Sequence, residues 1–340
     1  MILSFVFNGT ARAQKNARLL TCLQQRVPLG EYSIRHVFKA LFRCVPIALA
    51  WRISFMIFAA FGVFVQTALA AQTTQAAHAV QAEHGKPKIV ALAPHLVELL
   101  FAIGAGDQII GTSDFADFPA EAKRIPVVGN YLGLKVEKIL TMQPDVVVAW
   151  RTGGASAQLS QLEKLGIKVI YSNPKKPQDI ADEIRMLGQL SGHQQLAEEV
   201  ASAYEQLLAQ VKQKYRKKAQ QSLPITVFYE LWPQPLTTVA KGSWNQALLD
   251  ICQVENAFYA AAAPYPQVNI EQVVQRDVQV IIQPVSQQGD GQALYDWHRW
   301  PIIPAVKSKR ILAPDADKLH RMTTRMLPEL DALCEQIYQG

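Results

Sequence analysis

The stretch Gln195–Lys218, QLAEEVASAYEQLLAQVKQKYRKK, is predicted to form one long α-helix, and the rest of the fold follows from it. Apolar side chains recur along one side of this helix at helical spacing: Val200, Tyr204, Leu207, Leu208 and Val211. The chain is helical from about Pro177 onward, with a break near Gly192. A helix of this length can join two lobes as a stiff spine rather than as a flexible linker.

Strands and helices alternate on both sides of this helix. Before it, Lys88–Ala93 is predicted to be a buried strand that ends at Pro94, and further strands are expected at Gln108–Gly111 and Val146–Trp150. After it, the same alternation continues to a closing helix, Thr323–Tyr338. Alternation of this kind is typical of parallel sheets covered by helices on both faces. We therefore predict an α/β fold with two lobes, residues 88–176 and 221–340, joined by a helical linker over residues 177–220.

One segment of the first lobe is echoed in the second. Val136–Val148 (VEKILTMQPDVVV) and Ile270–Ile282 (IEQVVQRDVQVII) both read as a short helix followed by a strand. Each has an acid at its second position, Glu137 and Glu271, and an apolar doublet at the same offset. Chance could produce this pattern in ordinary helix–strand units. If the echo is a duplication, two similar lobes face each other, and ligands of such folds bind at the carboxyl ends of the strands.

The positive charge of the chain is confined to its first 70 residues. The 340-residue chain has a net charge of +6, but residues 1–70 hold eight Lys/Arg and a single acid, Glu31. The remaining 270 residues therefore carry a net charge of −1, which argues against nucleic-acid binding.

The same 70 residues resemble an export signal. Arg43 and Arg52 precede the apolar run Ile53–Val65, and the small-residue pattern that follows predicts cleavage between Ala70 and Ala71. Residues 71–87 are then a flexible lead-in, and the mature protein is expected in the periplasm. The alternative is an uncleaved membrane anchor that also includes the apolar residues from Pro46 onward, although the uninterrupted run is short for a membrane span and Arg52 would lie inside the anchor.

Two cysteines remain after the predicted cleavage, Cys252 and Cys334. Two cysteines in an exported protein allow one pairing, so a disulfide is predicted. Two unrelated buried thiols are the alternative.

No catalytic motif is present. The sequence lacks a G-x-S-x-G elbow, a phosphate-binding loop and a G-x-G-x-x-G fingerprint. Five of the seven histidines are scattered and unpaired after residue 80, as expected of surface or capping residues: His84, His95, His193, His298 and His320. We predict a binding protein without enzymatic activity, without a cofactor of its own and without a metal site.

Aromatic residues occupy the loops that follow predicted strands: Phe115, Phe118, Tyr131, Trp150, Trp232 and Tyr265. Flat apolar side chains at these positions could hold a large ligand, whereas Phe118 and Trp232 are expected to be ordinary packing residues. Asp317 and Arg321 are spaced for one helical turn. They form either a simple ion pair or a polar clamp on ligand amides.

Several of these segments resemble a known family, the helical-backbone solute-binding proteins for metal chelates. The resemblance is carried by Ile89–Gly106 (IVALAPHLVELLFAIGAG), Gly111–Pro119 (GTSDFADFP) and Val136–Trp150 (VEKILTMQPDVVVAW). Val254–Phe258, Tyr265–Val268 and the cysteine pair are similar to the family members that bind vitamin B12. The resemblance covers about residues 88–338 and implies a monomeric periplasmic protein that delivers cobalamin to the permease subunits of an ABC importer.

The resemblance also implies roles for individual residues. Four positions line the corrinoid cleft: Phe115, Tyr131, Leu236 and Tyr265. Asp317 and Arg321 contact the side-chain amides of the corrin, and Glu137 and Glu271 dock on the membrane subunits. Family members often carry two tryptophans in the cleft positions, and this chain carries none there.

Two other functions are weighed against corrinoid binding. A haem or ferric-siderophore binder has the same fold, and haem would require Tyr131, Tyr265 or His320 to reach the iron. An enzyme on this scaffold would require a nucleophile–base pair or an open metal site, and no motif of the sequence indicates either.

Overall fold

A computed structural model describes residues 85–286 and 294–339 of the protein. These residues belong to one compact unit, His84–Gly340. The predicted leader (residues 1–70), its cleavage site and most of the lead-in lie outside the described residues. Within the described part of the chain, no helix is long and apolar enough to cross a membrane.

The first lobe contains a sheet of six strands in the order β4-β3-β2-β1-β5-β6. Its elements are β1 (Ile89–Leu92), α1 (Pro94–Ala102), β2 (Ile109–Ser113), β3 (Val127–Asn130), β4 (Gly133–Leu134), α2 (Val136–Thr141), β5 (Val146–Trp150), α3 (Ser156–Lys164) and β6 (Val169–Ser172). All neighbouring strands are parallel except β3 and β4, which form an antiparallel hairpin at one edge. The sheet is therefore not purely parallel, because a turn as short as Tyr131-Leu132 can only reverse the chain.

The long helix is present and slightly longer than predicted. A first helix, α4 (Asp179–Ser191), ends at Gly192, which adopts the left-handed conformation (φ 77°) that favours glycine. The spine helix α5 (Gln194–Gln220) has 27 residues and is about 40 Å long at 1.5 Å per residue. Its buried face begins with Ala197 and Ala201 rather than Val200, because α4 packs closely there and a Cβ atom on Gly188 would collide with Ala197.

The second lobe contains a parallel sheet in the order β10-β7-β11-β12 and a short antiparallel ribbon, β8–β9. Its elements are β7 (Thr226–Tyr229), β8 (Trp232–Pro233), β9 (Leu236–Thr237), α6 (Trp244–Cys252), β10 (Glu255–Asn256), α7 (Ile270–Val274), β11 (Val280–Ile282), α8 (Pro304–Lys307), β12 (Ile311–Leu312), α9 (Ala316–Leu319) and α10 (Met326–Tyr338). The fold class is thus confirmed as two α/β lobes joined by one long helix.

The sequence echo corresponds to a structural one. In the first lobe β1 lies between β2 and β5, and in the second lobe β7 lies between β10 and β11. The strands β5 and β11 are preceded by the short helices α2 and α7, and each helix has its glutamate at the second position. The two segments therefore occupy equivalent places in the two sheets.

The end of the chain folds back on the spine. Lys214 Nζ lies 2.8 Å from Asp331 Oδ1, and Lys218 Nζ lies 2.6 Å from Glu335 Oε1, which ties α10 to α5. A disulfide joins Cys252 at the end of α6 to Cys334 in α10, with a Cα–Cα distance of 5.2 Å. The predicted pairing is therefore the one found in the structure.

Candidate functional site

The carboxyl ends of strands from both lobes border two adjoining cavities. A cavity of about 160 Å³ in the first lobe is lined by Phe115, Tyr131 and Trp150 among others. A larger cavity of about 620 Å³ lies between the lobes and is also lined by Phe115, together with residues of the second lobe. Pro94 and Phe115 line both cavities, so the two spaces form adjoining parts of one cleft, as the fold predicts for a ligand site.

Phe115 and Tyr131 form the exposed wall of the first lobe. Phe115 is 73% exposed and Tyr131 is 68% exposed, which is unusual for aromatic side chains. Phe115 has a left-handed backbone (φ 64°), a conformation that costs free energy in a residue with a Cβ atom. Because exposed, strained residues cluster at binding sites, both features support a ligand-binding role for this loop.

Trp232 faces the cleft from the second lobe, and the expectation that it is an ordinary packing residue is wrong. It is the first residue of β8, shortly after the end of β7. Its side chain is 55% exposed and lines the larger cavity. Phe118 is also partly exposed, with the Arg325 guanidinium 3.6 Å from the centre of its ring. In the ribbon β8–β9, Trp232 pairs with Thr237.

The other two predicted cleft residues lie elsewhere. Leu236 is 8% exposed and packs with Phe228 and Phe258 in the core of the second lobe. The Tyr265 hydroxyl accepts a hydrogen bond from the backbone N–H of Trp244 at 3.3 Å, in the first turn of α6. Neither Leu236 nor Tyr265 lines the two cavities, so the structure brings together Phe115, Tyr131, Asp317 and Arg321 but leaves these two outside.

Charged side chains from both lobes meet at the edge of the cleft. We call this set the lobe-bridging cluster, and its members are Glu98 and Asp117 of the first lobe and Asp317, Arg321 and Arg325 of the second. Arg321 Nη1 donates to Glu98 Oε1 at 2.8 Å and to Asp117 Oδ1 at 2.7 Å. Asp317 Oδ1 lies 3.6 Å from Arg321 Nη2, so the predicted pair exists but is the weaker contact.

The environment keeps Arg321 charged. Burial alone would lower the pKa of Arg321, but its hydrogen bonds with Asp117 and Glu98 outweigh burial and raise the pKa above its usual value. A charged guanidinium at the cavity wall can donate hydrogen bonds to carbonyl oxygens of a ligand. Asp317 accepts a hydrogen bond from Ser286 at 2.6 Å, on the same wall.

Sequence reasoning missed Glu98, Asp117 and Arg325. Glu98 is the one acid within the apolar helix α1 (PHLVELLFA), and it is only 5% exposed. A single charge on the buried side of a helix requires a partner, and that signal was present in the sequence. Its partners could not be identified in the same way, because they are more than 220 residues away along the chain.

His95 is buried and His320 is half-buried next to the cleft, against the expectation of surface positions. His320 lines the larger cavity, and its Nε2 lies 2.8 Å from the Tyr229 hydroxyl. His95 lies behind Pro94, with Nε2 3.2 Å from the Ser172 hydroxyl. Burial lowers the pKa of both imidazoles to about 4, so both are neutral at neutral pH.

No metal-binding cluster is found among residues 85–286 and 294–339. These residues contain no group of three or more His, Cys, Asp or Glu side chains that could hold a metal ion. Glu137 and Glu271 are exposed in the first turns of α2 and α7 and take part in neither cavity.

Comparison with known proteins places the chain in a family. A model of the periplasmic binding protein family matches residues 89–317. The vitamin B12-binding protein of Vibrio vulnificus strain CMCP6 is 38% identical over 251 residues, which cover 73% of this chain and 89% of that protein. The corresponding protein of Pectobacterium atrosepticum is 31% identical over 251 residues, which cover 74% and 88%.

Solved structures agree with this assignment. The crystal structure of the periplasmic vitamin B12-binding protein of Vibrio cholerae has a TM-score of 0.67 and 32% identity, covering 74% of this chain and 96% of that one. A periplasmic heme-binding protein from Pseudomonas aeruginosa has a TM-score of 0.63 and 21% identity, covering 75% and 94%, and shares the fold. This chain therefore belongs to the periplasmic binding protein family.

Proposed function

We propose that this protein captures vitamin B12, or a related corrinoid, in the cleft between its lobes and delivers it to the permease subunits of an ABC importer. The observation that carries this proposal is the cleft itself, with exposed aromatic side chains on both lobes and a charged Arg321 between them. The similarity to proteins named vitamin B12-binding proteins supports the choice of ligand.

Binding rests on two kinds of contact. Phe115 and Trp232 offer flat apolar faces that become buried against the corrin ring, and burial of aromatic surface is a main source of binding free energy. Arg321 and Asp317 offer a donor and an acceptor for the side-chain amides of the corrin. The predicted cleft positions remain Phe115, Tyr131, Leu236, Tyr265, Asp317 and Arg321, and we add Trp232 as the indole that those positions lack.

The protein makes and breaks no bond in this proposal. Cobalt travels inside the corrin ring, and no protein side chain is proposed as its ligand. The imidazole of His320 lines the larger cavity, and its Nε2 is within hydrogen-bonding distance of the Tyr229 hydroxyl.

Delivery requires contact with the membrane subunits. Glu137 and Glu271 occupy equivalent places in the two lobes and are exposed. One acid on each lobe can pair with one basic residue on each half of a two-fold symmetric permease. We therefore propose these two glutamates as the docking residues, on lobes bounded at residues 88–176 and 221–340, in a periplasmic protein cleaved near Ala70.

A haem ligand is the second candidate, because the phenol side chains of Tyr131 and Tyr265 are exposed and phenolate is a ligand for ferric iron. The test is isothermal titration of the protein beginning at Ala71 against cyanocobalamin, cobinamide and hemin. We expect one site for each corrinoid. Binding of hemin with a shifted Soret band, together with no binding of cyanocobalamin, would replace corrinoid by haem.

A further inference from the structure

Glu98 forms two largely buried ion pairs with the second lobe, one with Arg321 and one with Arg325. Arg325 Nε donates to Glu98 Oε2 at 2.9 Å, and Arg325 Nη2 donates to Glu98 Oε1 at 2.6 Å. The ion pair with Arg325 is therefore bidentate. The same Oε1 accepts the hydrogen bond from Arg321. One carboxylate of the first lobe therefore holds two guanidinium groups of the second.

The lobe-bridging cluster also contacts the loop that carries Phe115. Arg321 Nη2 donates to the Phe115 carbonyl at 3.3 Å, and Arg321 also binds the two carboxylate oxygens of Asp117. Arg325 lies over the ring of Phe118 in the same loop. The two arginines thus fix both the position of the lobes and the loop whose aromatic ring stands in the cleft.

This arrangement restricts how the lobes can sit. The Glu98 side chain is 3% exposed and has four hydrogen-bonding directions available, three of which are used by guanidinium groups. Moving the lobes apart would break all three of these charge-assisted hydrogen bonds at once. The cluster therefore favours one separation of the lobes.

We propose that Glu98 and Arg325 are positioning residues that hold the free protein in its binding-competent arrangement. Neither residue lines the two cavities, and each acts through Arg321 and the Phe115 loop, which do. This inference rests on the proposed function, since it concerns how the same cleft accepts its corrinoid.

The positioning role of Glu98 and Arg325 predicts a specific change in binding kinetics. If only a fraction of the free protein is competent to bind, the apparent affinity falls by that fraction. With fast exchange between arrangements, the loss falls on the association rate constant, because the bound complex itself is unchanged. Removal of a direct ligand contact has the opposite signature, a faster dissociation.

The test compares the variants Glu98→Gln and Arg325→Gln with the wild type. Binding of cyanocobalamin is measured in a stopped-flow instrument by the quenching of tryptophan fluorescence. Each variant should lower the association rate constant about tenfold and leave the dissociation rate constant within about twofold, as expected when the competent fraction falls to about a tenth. Arg185→Gln is the matched control, because it removes an arginine that bridges Glu198 and Glu205 far from the cleft. Trp232→Ala is the comparator for a direct contact and should accelerate dissociation.

The outcomes are separable. Unchanged association in both variants, even with lowered thermal stability, overturns the positioning role and leaves the proposed function standing. An effect confined to dissociation also overturns it. Failure of the wild-type protein to bind cyanocobalamin overturns the proposed function and this inference together. If Glu98→Gln does not fold, Arg325→Gln decides, because Glu98 then keeps its ion pair with Arg321.

Discussion

Phe115 and Trp232 come from different lobes and line the same cavity, each with more than half of its surface exposed. The cavity of about 620 Å³ lies within the size range of ligand clefts. Two exposed aromatic rings at one cleft offer a flat macrocycle apolar surface on both lobes.

Truncation of either ring should weaken corrinoid binding. We expect Phe115→Ala and Trp232→Ala each to raise the Kd for cyanocobalamin about tenfold, which corresponds to about 1.4 kcal/mol. Isothermal titration measures this change. Tyr259→Ala is the matched control, since Tyr259 is a partly exposed aromatic residue that lines neither cleft cavity.

A glycine variant separates the ring of Phe115 from its backbone. Phe115→Gly removes the same ring but suits the left-handed backbone better than phenylalanine does. We expect its thermal stability to be at least that of the alanine variant, with an equal loss of affinity. Wild-type affinity in both variants would contradict a role of Phe115 in the cleft.

His95 should make the protein less stable in mild acid. Its pKa is about 4 in the folded protein because burial disfavours the charged imidazole, whereas an unfolded histidine titrates near pH 6.5. Between these values the unfolded chain binds more protons, so stability falls as the pH is lowered from about 6.5 to about 4. The full effect for one histidine is roughly 3 kcal/mol.

Urea denaturation of the wild type and His95→Gln between pH 7 and pH 4.5 measures this dependence. The variant should lose less stability on acidification, because it has no imidazole to protonate. His298→Gln is the matched control, since it makes the same substitution at an exposed histidine. Identical slopes for the His95 variant and the wild type would contradict a neutral buried His95.

The parts of the fold that could be predicted are those set by local periodicity. The spine helix was located to within two residues at either end, because its apolar stripe has helical spacing over its whole length. The boundary of the last helix was less accurate, with the helix beginning at Met326 rather than Thr323. The residues just before it take part in the lobe-bridging cluster, and a tertiary contact of this kind has no local signature.

Site residues could be predicted only where a side chain suited to ligand binding also followed a predicted strand. Phe115 and Arg321 were predicted at the cleft and line the cavity between the lobes. Leu236 was assigned to the cleft by the family resemblance alone, and the structure gives it 8% exposure in the two-residue strand β9. Trp232 was expected to be a packing residue, because it lies in a ribbon too short for periodicity to show which side chains are exposed.

The disulfide should contribute substantially to stability. Cys252 and Cys334 are 82 residues apart, and closing a loop of this size lowers the entropy of the unfolded chain enough to stabilise the fold by about 4 kcal/mol. The double variant Cys252→Ala, Cys334→Ala should lose a comparable free energy of unfolding in urea. Wild-type protein with a reducing agent should approach the variant, and the variant itself should be insensitive to the reducing agent. A loss below about 1 kcal/mol would contradict this role.

Reversal of charge at both Glu137 and Glu271 should abolish delivery while ligand affinity is kept. Both carboxylates are exposed in first helical turns, so Glu137→Arg with Glu271→Arg costs only about 1 kcal/mol per site through the helix dipole, and the protein still folds. Uptake of labelled cyanocobalamin into vesicles that contain the importer should fall at least about tenfold, since the reversed charges would repel the permease. The matched control reverses one other exposed glutamate on each lobe, Glu163 and Glu255, and should transport normally. Undiminished uptake by the Glu137/Glu271 variant, with normal affinity in titration, would show that the importer recognises a different surface.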